Sequence, residues 1–131
     1  MHGIIYAIKM IKISSILIGV SDLNKARPFY EKVFGFSFDE FRPPFASAMM
    51  GNTEFNIEED AEYREKNWGK KNVAGRKSVT FETDNLDAFL ETVVQEGGKV
   101  VEGPIRQPWG WHNAVISDLD GNEFVIEQEI K

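Results

Sequence analysis

The side chains that could carry proton transfer are scarce in this sequence. The chain of 131 residues contains no cysteine, which excludes disulfides, thiolate catalysis and cysteine-bound zinc. It contains two histidines, His2 and His112, and only His112 lies in the part predicted to fold. Histidine is the side chain best suited to proton transfer near neutral pH, so His112 is a candidate catalytic residue. The alternative is a structural role, and the surrounding pattern does not settle which strand face it occupies.

Two glutamates occupy equivalent positions in an internal repeat. The segment GNTEFNIEED from Gly51 matches GNEFVIEQEI from Gly121 with one residue deleted, which aligns Glu58 with Glu127. Carboxylates on opposite walls of one pocket could bind a cationic ligand. In a dry site their repulsion would favour protonation of one of them, which makes each a candidate general acid or base. The alternative is that both are solvated at the rim.

Large aromatic side chains form the third candidate group. Trp68, Trp109 and Trp111, with Tyr30 and Phe45, offer more flat surface than a core facing the helices requires. Aromatic walls suit planar ligands, and a cation can lie over a ring face. Trp109 is the strongest candidate because it precedes a glycine at a predicted bend. For each tryptophan the alternative is core packing or a dimer contact.

The hydrophobic pattern predicts the elements that position these residues. Residues 13–20 are predicted to form a buried strand, followed by a helix that is capped by Asp22 and ends at Gly35. Pro28 conflicts with an uninterrupted helix because it has no amide hydrogen, so the helix either starts later or bends. Three short strands are predicted next, at residues 36–41, 45–50 and 54–58.

The second half repeats this order. A strand over 78–83 and a helix over 86–96 are predicted, followed by strands around Val100, Asn113 and Phe124. Asp120-Gly121 indicates a hairpin turn rather than a phosphate or cation loop. The sequence therefore predicts an α+β fold built from two tandem βαβββ modules.

The chain length allows one domain, which we expect over residues 13–131. Module one spans 13–58, a linker spans 59–76 and module two spans 77–129. Residues 1–12 are interpreted as a leader or an added extension. The linker is charged and polar, and it is either a solvated connection or a lid that carries Trp68.

Alternation along the strands divides each sheet into two faces. One face is apolar and should meet the helices: Ser14, Ile16, Ile18, Val20, Phe55, Ile57, Val79, Phe81, Phe124 and Ile126. The opposite face is mostly polar and acidic: Ser15, Leu17, Gly19, Glu54, Asn56, Glu58, Ser78, Thr80, Glu82, Glu123, Val125 and Glu127.

Two segments resemble a known family. The segment ILIGVSDLNKARPFYEKVFGF (residues 16–36) resembles the opening strand and helix of the vicinal-oxygen-chelate superfamily, which includes glyoxalase I, bleomycin-resistance proteins and extradiol dioxygenases. The segment PWGWHNAVISDLDGNEFVIEQ (residues 108–128) resembles the closing hairpin of that superfamily, with Leu119 where proline is commoner. The resemblance implies paired βαβββ modules that form an incomplete barrel around a cavity, usually in a homodimer. It also implies that the polar face lines this cavity.

Enzymes of this superfamily hold a divalent metal with ligands on four strands. The resemblance puts those positions at Ser15, Asn56, Ser78 and Val125. Hydroxyls and an amide are poor substitutes for imidazole and carboxylate, and valine has no lone pair. We therefore expect no metal and no other cofactor, the alternative being a hard cation on carboxylates. These four residues, with Glu58, Glu127, Trp109 and Trp111, are the predicted ligand-binding set.

Charge and composition limit the partners. The net charge of −6 argues against nucleic acid as a partner. The apolar stretch over residues 4–8 is too short to span a membrane and lacks the features of an export signal, so we expect no membrane partner. With the absence of cysteine, this predicts a cytoplasmic protein.

Three functions remain open. The first is a binding protein that sequesters a planar or cationic molecule, such as an antibiotic. The second is a lyase or isomerase acting on a small carbonyl compound through Glu58, Glu127 or His112, or through a non-standard metal. The third is a regulatory module with a vestigial cavity.

Overall fold

The computed structural model describes residues 11–59 and 79–130, which form two βαβββ modules. Module one contains β1 (Ile16–Val20), α1 (Leu23–Phe34), β2 (Phe38–Arg42), β3 (Phe45–Met50) and β4 (Thr53–Glu59). Module two contains β5 (Thr80–Glu82), α2 (Leu86–Gln95), β6 (Lys99–Arg106), β7 (Trp111–Ser117) and β8 (Glu123–Glu129). The predicted α+β fold with tandem modules is confirmed.

The two modules have the same strand order. Sheet 1 runs β1-β4-β3-β2 and sheet 2 runs β5-β8-β7-β6. In each sheet the first strand pairs parallel to the last, and the remaining pairs are antiparallel. In the described part of the chain, the two sheets do not join into a closed barrel. The first strand of each module therefore forms a sheet edge, and the fourth strand occupies the interior of its sheet.

Local signals in the sequence set the ends of the helices. Asp22 caps α1 by accepting a hydrogen bond from the Lys25 amide at 3.1 Å, and Gly35 ends it with a φ of 73°. The helix begins at Leu23 and includes Pro28, so the alternative of a later start is wrong. Helix α2 is capped by Asn85, whose side chain accepts from the Ala88 amide at 3.0 Å.

The two modules share one apolar core. Phe34, at the end of α1, lies 4.5 Å from Phe81 and 5.4 Å from Phe124 between ring centroids, and both of those rings belong to sheet 2. Phe55 of sheet 1 stacks on Phe81 at 5.8 Å. The predicted apolar face is thus buried towards the helices in both sheets. Ser14, which was assigned to that face, is instead exposed.

The strands differ from the predicted ones mainly at their ends. The strand predicted over 13–20 begins only at Ile16. The register pairs Ile16 with Phe55, so residue 13 would lie opposite Asn52, which belongs to the turn before β4. A strand needs a neighbouring backbone, and residues 11–13 have none in sheet 1. The strand predicted over 36–41 likewise starts later, at Phe38, and continues to Arg42.

Some predicted features fall outside the described residues. These include Ser78, Trp68, almost all of the proposed linker, and most of the proposed leader. Glu59, assigned to the linker, is instead the last residue of β4. Within the described part of the chain, neither helix is long and apolar enough to cross a membrane.

Candidate functional site

Each sheet has one face turned away from the helices, which we call its open face. On sheet 1 the open face contains Leu17, Gly19, Phe45, Ser47, Met49, Glu54, Asn56 and Glu58. On sheet 2 it contains Thr80, Glu82, Trp111, Asn113, Val115, Glu123, Val125, Glu127 and Glu129. Because the core occupies the other side of both sheets, the open faces are the sheet surfaces available to a ligand.

Ser15 and Asn56, two of the positions implied by the family resemblance, contact each other. The Nδ2 atom of Asn56 donates a hydrogen bond to Ser15 Oγ at 3.1 Å. The Oδ1 atom of Asn56 is buried and has no hydrogen-bond partner among the described residues. Exchanging the amide oxygen and nitrogen would let the Ser15 hydroxyl donate instead, but one end of the amide would still be unpaired.

Glu58 lies two residues beyond Asn56 on the same open face. Its cross-strand neighbours are Gly19 on β1 and Phe45 on β3, and it is half-buried. Glycine on one side and an aromatic ring on the other leave the carboxylate without a basic neighbour in register. None of the ion pairs formed by the described residues involves Glu58.

On sheet 2, the position that the family resemblance matches to Asn56 is apolar. Val125 lies opposite Val115 on β7 and Thr80 on β5. Val115 is only 5% exposed, although it points away from the helices. Glu127 lies next to Asn113 and Glu82 in register, and it is half-buried like Glu58. No hydrogen bond or ion pair of the described residues joins this group to Ser15 or Asn56.

The two predicted tryptophans of module two differ in environment. Trp111 begins β7, is half-buried on the open face and lies opposite Glu129. Trp109 lies in the turn before β7 and is 66% exposed, so it is not a core residue. The turn closes with Gly110, whose φ of 95° is the left-handed conformation that glycine adopts readily. Trp109 is thus available to a ligand or to a partner.

The structure separates His112 from the carboxylates. His112 lies opposite Gln128 and Arg106, on the same side of the sheet as Ala114 and Ile116. That side faces the helices, whereas Glu127 belongs to the open face. The sequence did not settle which strand face His112 occupies. The structure places it on the face opposite to Glu127, so the two side chains cannot act together.

A buried polar cluster in the β7–β8 turn was not predicted as a feature of the fold. Tyr30 of α1 donates a hydrogen bond from its hydroxyl to Asp118 Oδ2 at 2.5 Å. Asp118 also accepts from the backbone amides of Asp120 and Asn122 at 2.9 and 2.8 Å and from Asn122 Nδ2 at 2.9 Å. Burial raises the pKa of Asp118 above its ordinary value, against the opposing effect of these hydrogen bonds.

The same burial, reinforced by the neighbouring Asp118 charge, raises the pKa of Tyr30. Asn122 Nδ2 also donates to the Gly19 carbonyl, at 2.9 Å, so the turn of module two is bound to β1 as well as to α1. The predicted hairpin turn is present, and it additionally links the two modules. One signal in the sequence could have indicated this polar cluster. Tyr30 lies in the apolar stripe of a helix, and a buried tyrosine hydroxyl requires a hydrogen-bond partner.

Among residues 11–59 and 79–130, two shallow clefts adjoin β5, at the edge of sheet 2. One, of about 630 Å³, is lined by Glu82, Thr83, Asp84, Gln128 and Glu129. The other, of about 500 Å³, is lined by Lys32, Val33, Phe34, Gly35, Met50, Thr80, Phe81, Glu82, Thr83 and Phe89. Neither cleft includes Ser15, Asn56 or Val125.

The described positions do not fit the family's transition-metal chelate. The Ser15 hydroxyl and the Asn56 amide are hydrogen-bonded to each other, and both are weak ligands for zinc, nickel or iron. Val125 has no donor atom. No cluster of three or more histidine, aspartate or glutamate side chains that could hold a metal ion occurs in residues 11–59 and 79–130.

Comparison with known proteins identifies the family. The profile of the Glyoxalase/Bleomycin resistance protein/Dioxygenase superfamily matches residues 12–126. Because this match covers most of the chain, the protein belongs to that superfamily. The resemblance inferred from the two end segments is confirmed.

Individual relatives are more distant. The virulence protein STM3117 of Salmonella typhimurium is 27% identical over 124 residues, which cover 91% of this chain and 85% of that protein. A family enzyme from Burkholderia phytofirmans superimposes with a TM-score of 0.72 at 22% identity, covering 89% of this chain and 98% of that one. TnmS3, an antibiotic-binding protein from a Streptomyces species, has a TM-score of 0.66 at 24% identity, covering 93% and 98%. The two structural matches establish the fold.

Proposed function

We propose that this protein binds a small planar or cationic molecule, such as an antibiotic, on its open faces without a metal or other cofactor. The observation that carries the proposal is the chemistry at the family's metal positions. Ser15 and Asn56 are hydrogen-bonded to each other, and Val125 is apolar. A site of this kind can hold a ligand by hydrogen bonding and contact, whereas metal-based activation would need stronger donors.

The charge of the open faces supports a cationic ligand. Glu58 and Glu127 are half-buried at equivalent positions, and no lysine or arginine lies opposite either of them in register. Partial burial strengthens the attraction between a carboxylate and a cation because less water screens it. Trp109 and Trp111 add aromatic surface for a planar ligand. The fold shared with TnmS3 is compatible with antibiotic binding and does not decide the ligand.

We also propose that the protein is a cytoplasmic homodimer. Superfamily membership supports the dimer, and so does the 94% and 81% exposure of Ile11 and Ile13. The absence of cysteine is consistent with a reducing compartment. Sedimentation equilibrium of the purified protein measures the assembly directly, and a monomer at micromolar concentration would contradict this part of the proposal.

Isothermal titration calorimetry against a panel of aromatic and glycopeptide antibiotics tests the binding function. We expect saturable binding of at least one cationic member. Glu58→Gln and Glu127→Gln should each weaken it about tenfold, the loss of one partly buried ion pair. Glu91→Gln, an exposed position on α2, is the matched control and should leave affinity unchanged. Absence of saturable uptake across the panel would count against the function.

The second candidate function is a lyase or isomerase acting on a small carbonyl compound. It is favoured by the two half-buried carboxylates, either of which could act as an acid or base. A non-standard metal held by carboxylates belongs to the same candidate. Metal analysis of protein purified without chelators distinguishes a metal-dependent site from a metal-independent one. A stoichiometric, tightly held transition metal would contradict the metal-independent site.

A further inference from the structure

The two modules correspond residue by residue, which makes each an internal reference for the other. Glu59, at the end of β4, accepts a hydrogen bond from the Leu23 amide at 2.6 Å. Gln128, one residue from the end of β8, accepts from the Leu86 amide at 2.7 Å. Both contacts satisfy the first amide of a helix, so Glu59 is equivalent to Gln128. Counting back along the strands makes Asn56 equivalent to Val125.

The equivalent positions differ in polarity. Ser47 lies opposite Asn56 on sheet 1, and Val115 lies opposite Val125 on sheet 2. Module one therefore has a serine and an asparagine where module two has two valines. Two residues further along, however, both modules retain a glutamate. The apolar pair shows that this position needs no polar side chain for the fold to form.

The Oδ1 atom of Asn56 is buried without a partner among the described residues, an arrangement that we expect to lower the stability of the free protein. A buried acceptor that lacks a donor has given up its hydrogen bonds to water without forming one within the protein. Valine at the same position would avoid this loss, as module two demonstrates. Unpaired buried groups of this kind require an explanation other than stability.

We infer that Asn56 determines ligand specificity by accepting a hydrogen bond from an exocyclic amino group of a planar cation held on the open face of sheet 1. This inference rests on the proposed binding function and names the chemistry that module one recognises. Glu58, two residues away, supplies the charge that attracts the cation. A rotation of the carboxamide about χ2, a soft torsion in asparagine, would bring the Oδ1 atom to the open face at the cost of the hydrogen bond to Ser15.

Two acridinium dyes test the inference, because they share a planar cationic ring system and differ in their amino groups. Proflavine has two primary amino groups, and acridine orange carries methyl groups in place of those N–H hydrogens. Fluorescence titration of the purified protein should show proflavine binding about tenfold more tightly than acridine orange. A tenfold difference corresponds to one hydrogen bond to an otherwise unpaired group.

Variants at Asn56 separate recognition from general contact. Asn56→Val should bring the affinities for the two dyes to within about twofold of each other, while Asn56→Asp keeps an acceptor and should retain the preference. Leu17→Ala is the matched control: Leu17 lies directly opposite Asn56 and is 49% exposed. Leu17→Ala should lower the affinities for both dyes by the same factor and leave the ratio of the two affinities unchanged. Circular dichroism confirms that each variant is folded.

The outcomes distinguish this inference from the proposed function. If both dyes bind saturably with equal affinity, or if Asn56→Val keeps the preference for proflavine, the inference is wrong and the binding function stands. If neither dye binds saturably, the inference is wrong for planar cations. The antibiotic panel then decides the binding function independently.

Discussion

At the scale of single residues, Asn56 is the position where stability and binding make opposite demands. Replacing it with valine removes the unpaired Oδ1 atom and introduces a residue that suits a strand. We predict that Asn56→Val raises the free energy of unfolding by about 1 kcal/mol, measured by urea denaturation, because removing an unpaired buried acceptor gains about 2 kcal/mol and losing the hydrogen bond to Ser15 costs about 1 kcal/mol. Ser15→Ala, which removes the other partner of the hydrogen bond, should lower it by about 1 kcal/mol. A destabilised Asn56→Val variant would mean that the oxygen has a partner in solution.

Trp109 should affect binding without affecting stability. Its side chain is 66% exposed in the turn before β7, so its removal uncovers little apolar core. We predict that Trp109→Ala changes the free energy of unfolding by less than about 0.5 kcal/mol. Trp109→Ala should nevertheless lower the affinity for the ligand of the calorimetry panel that binds most tightly. Trp111→Ala, at a half-buried position, is the comparison and should lower stability measurably. Equal stability losses would show that Trp109 packs against the fold.

At the scale of elements, the end of β4 and the start of α1 stabilise each other. The Glu59 carboxylate accepts from the Leu23 amide, and Gln128 makes the same contact to α2 with a neutral amide. We predict that Glu59→Ala lowers the free energy of unfolding by about 1 kcal/mol because the helix loses a capping acceptor. Glu59→Gln keeps the acceptor and should lose less than about 0.5 kcal/mol. Equal losses in the two variants would assign the effect to charge alone.

The helices are predictable from the sequence because their signals are local. Asp22 and Gly35 bound α1 as expected, and Pro28 is tolerated inside it. Strand ends are less predictable, because they depend on pairing with a neighbouring strand and no local signal in the sequence marks the start of β1 at Ile16. The two strand faces follow from alternation, so the open face could be assigned in advance, including Asn56 and Val125. The unpaired oxygen of Asn56 could not be predicted, because it depends on how β1, β3 and β4 pack together.

At the scale of the whole molecule, the two modules are held together by the aromatic core and by a polar link. Tyr30 and Asp118 are 88 residues apart in sequence and hydrogen-bonded in the fold. The Ser21 amide also donates to Asp120, at 3.1 Å, so module one meets this turn at several points. No local pattern could pair these residues. The contact exists only because the two modules pack against each other.

The buried Asp118 makes the stability of this link dependent on pH. Burial raises the pKa of Asp118 in the folded state, so the folded protein holds this proton more tightly than the unfolded chain does. The stabilisation from protonated Asp118 is complete below the ordinary aspartate pKa of about 3.9 and is lost as the pH rises through the raised folded-state pKa. Asp118→Asn removes this dependence. It also replaces one of the two acceptor oxygens with an amide nitrogen, so the variant cannot accept all four hydrogen bonds that Asp118 receives.

We therefore predict that the deficit of Asp118→Asn relative to the natural protein narrows as the pH rises from about 4 towards neutrality. Urea denaturation of both proteins at several pH values measures that difference. Asp39→Asn, an exposed position on β2, is the control and should show no comparable trend. A deficit that widens with rising pH would mean that the four hydrogen bonds to the carboxylate outweigh its burial and lower the pKa of Asp118. The sign of the slope thus decides which of the two effects dominates where the modules meet.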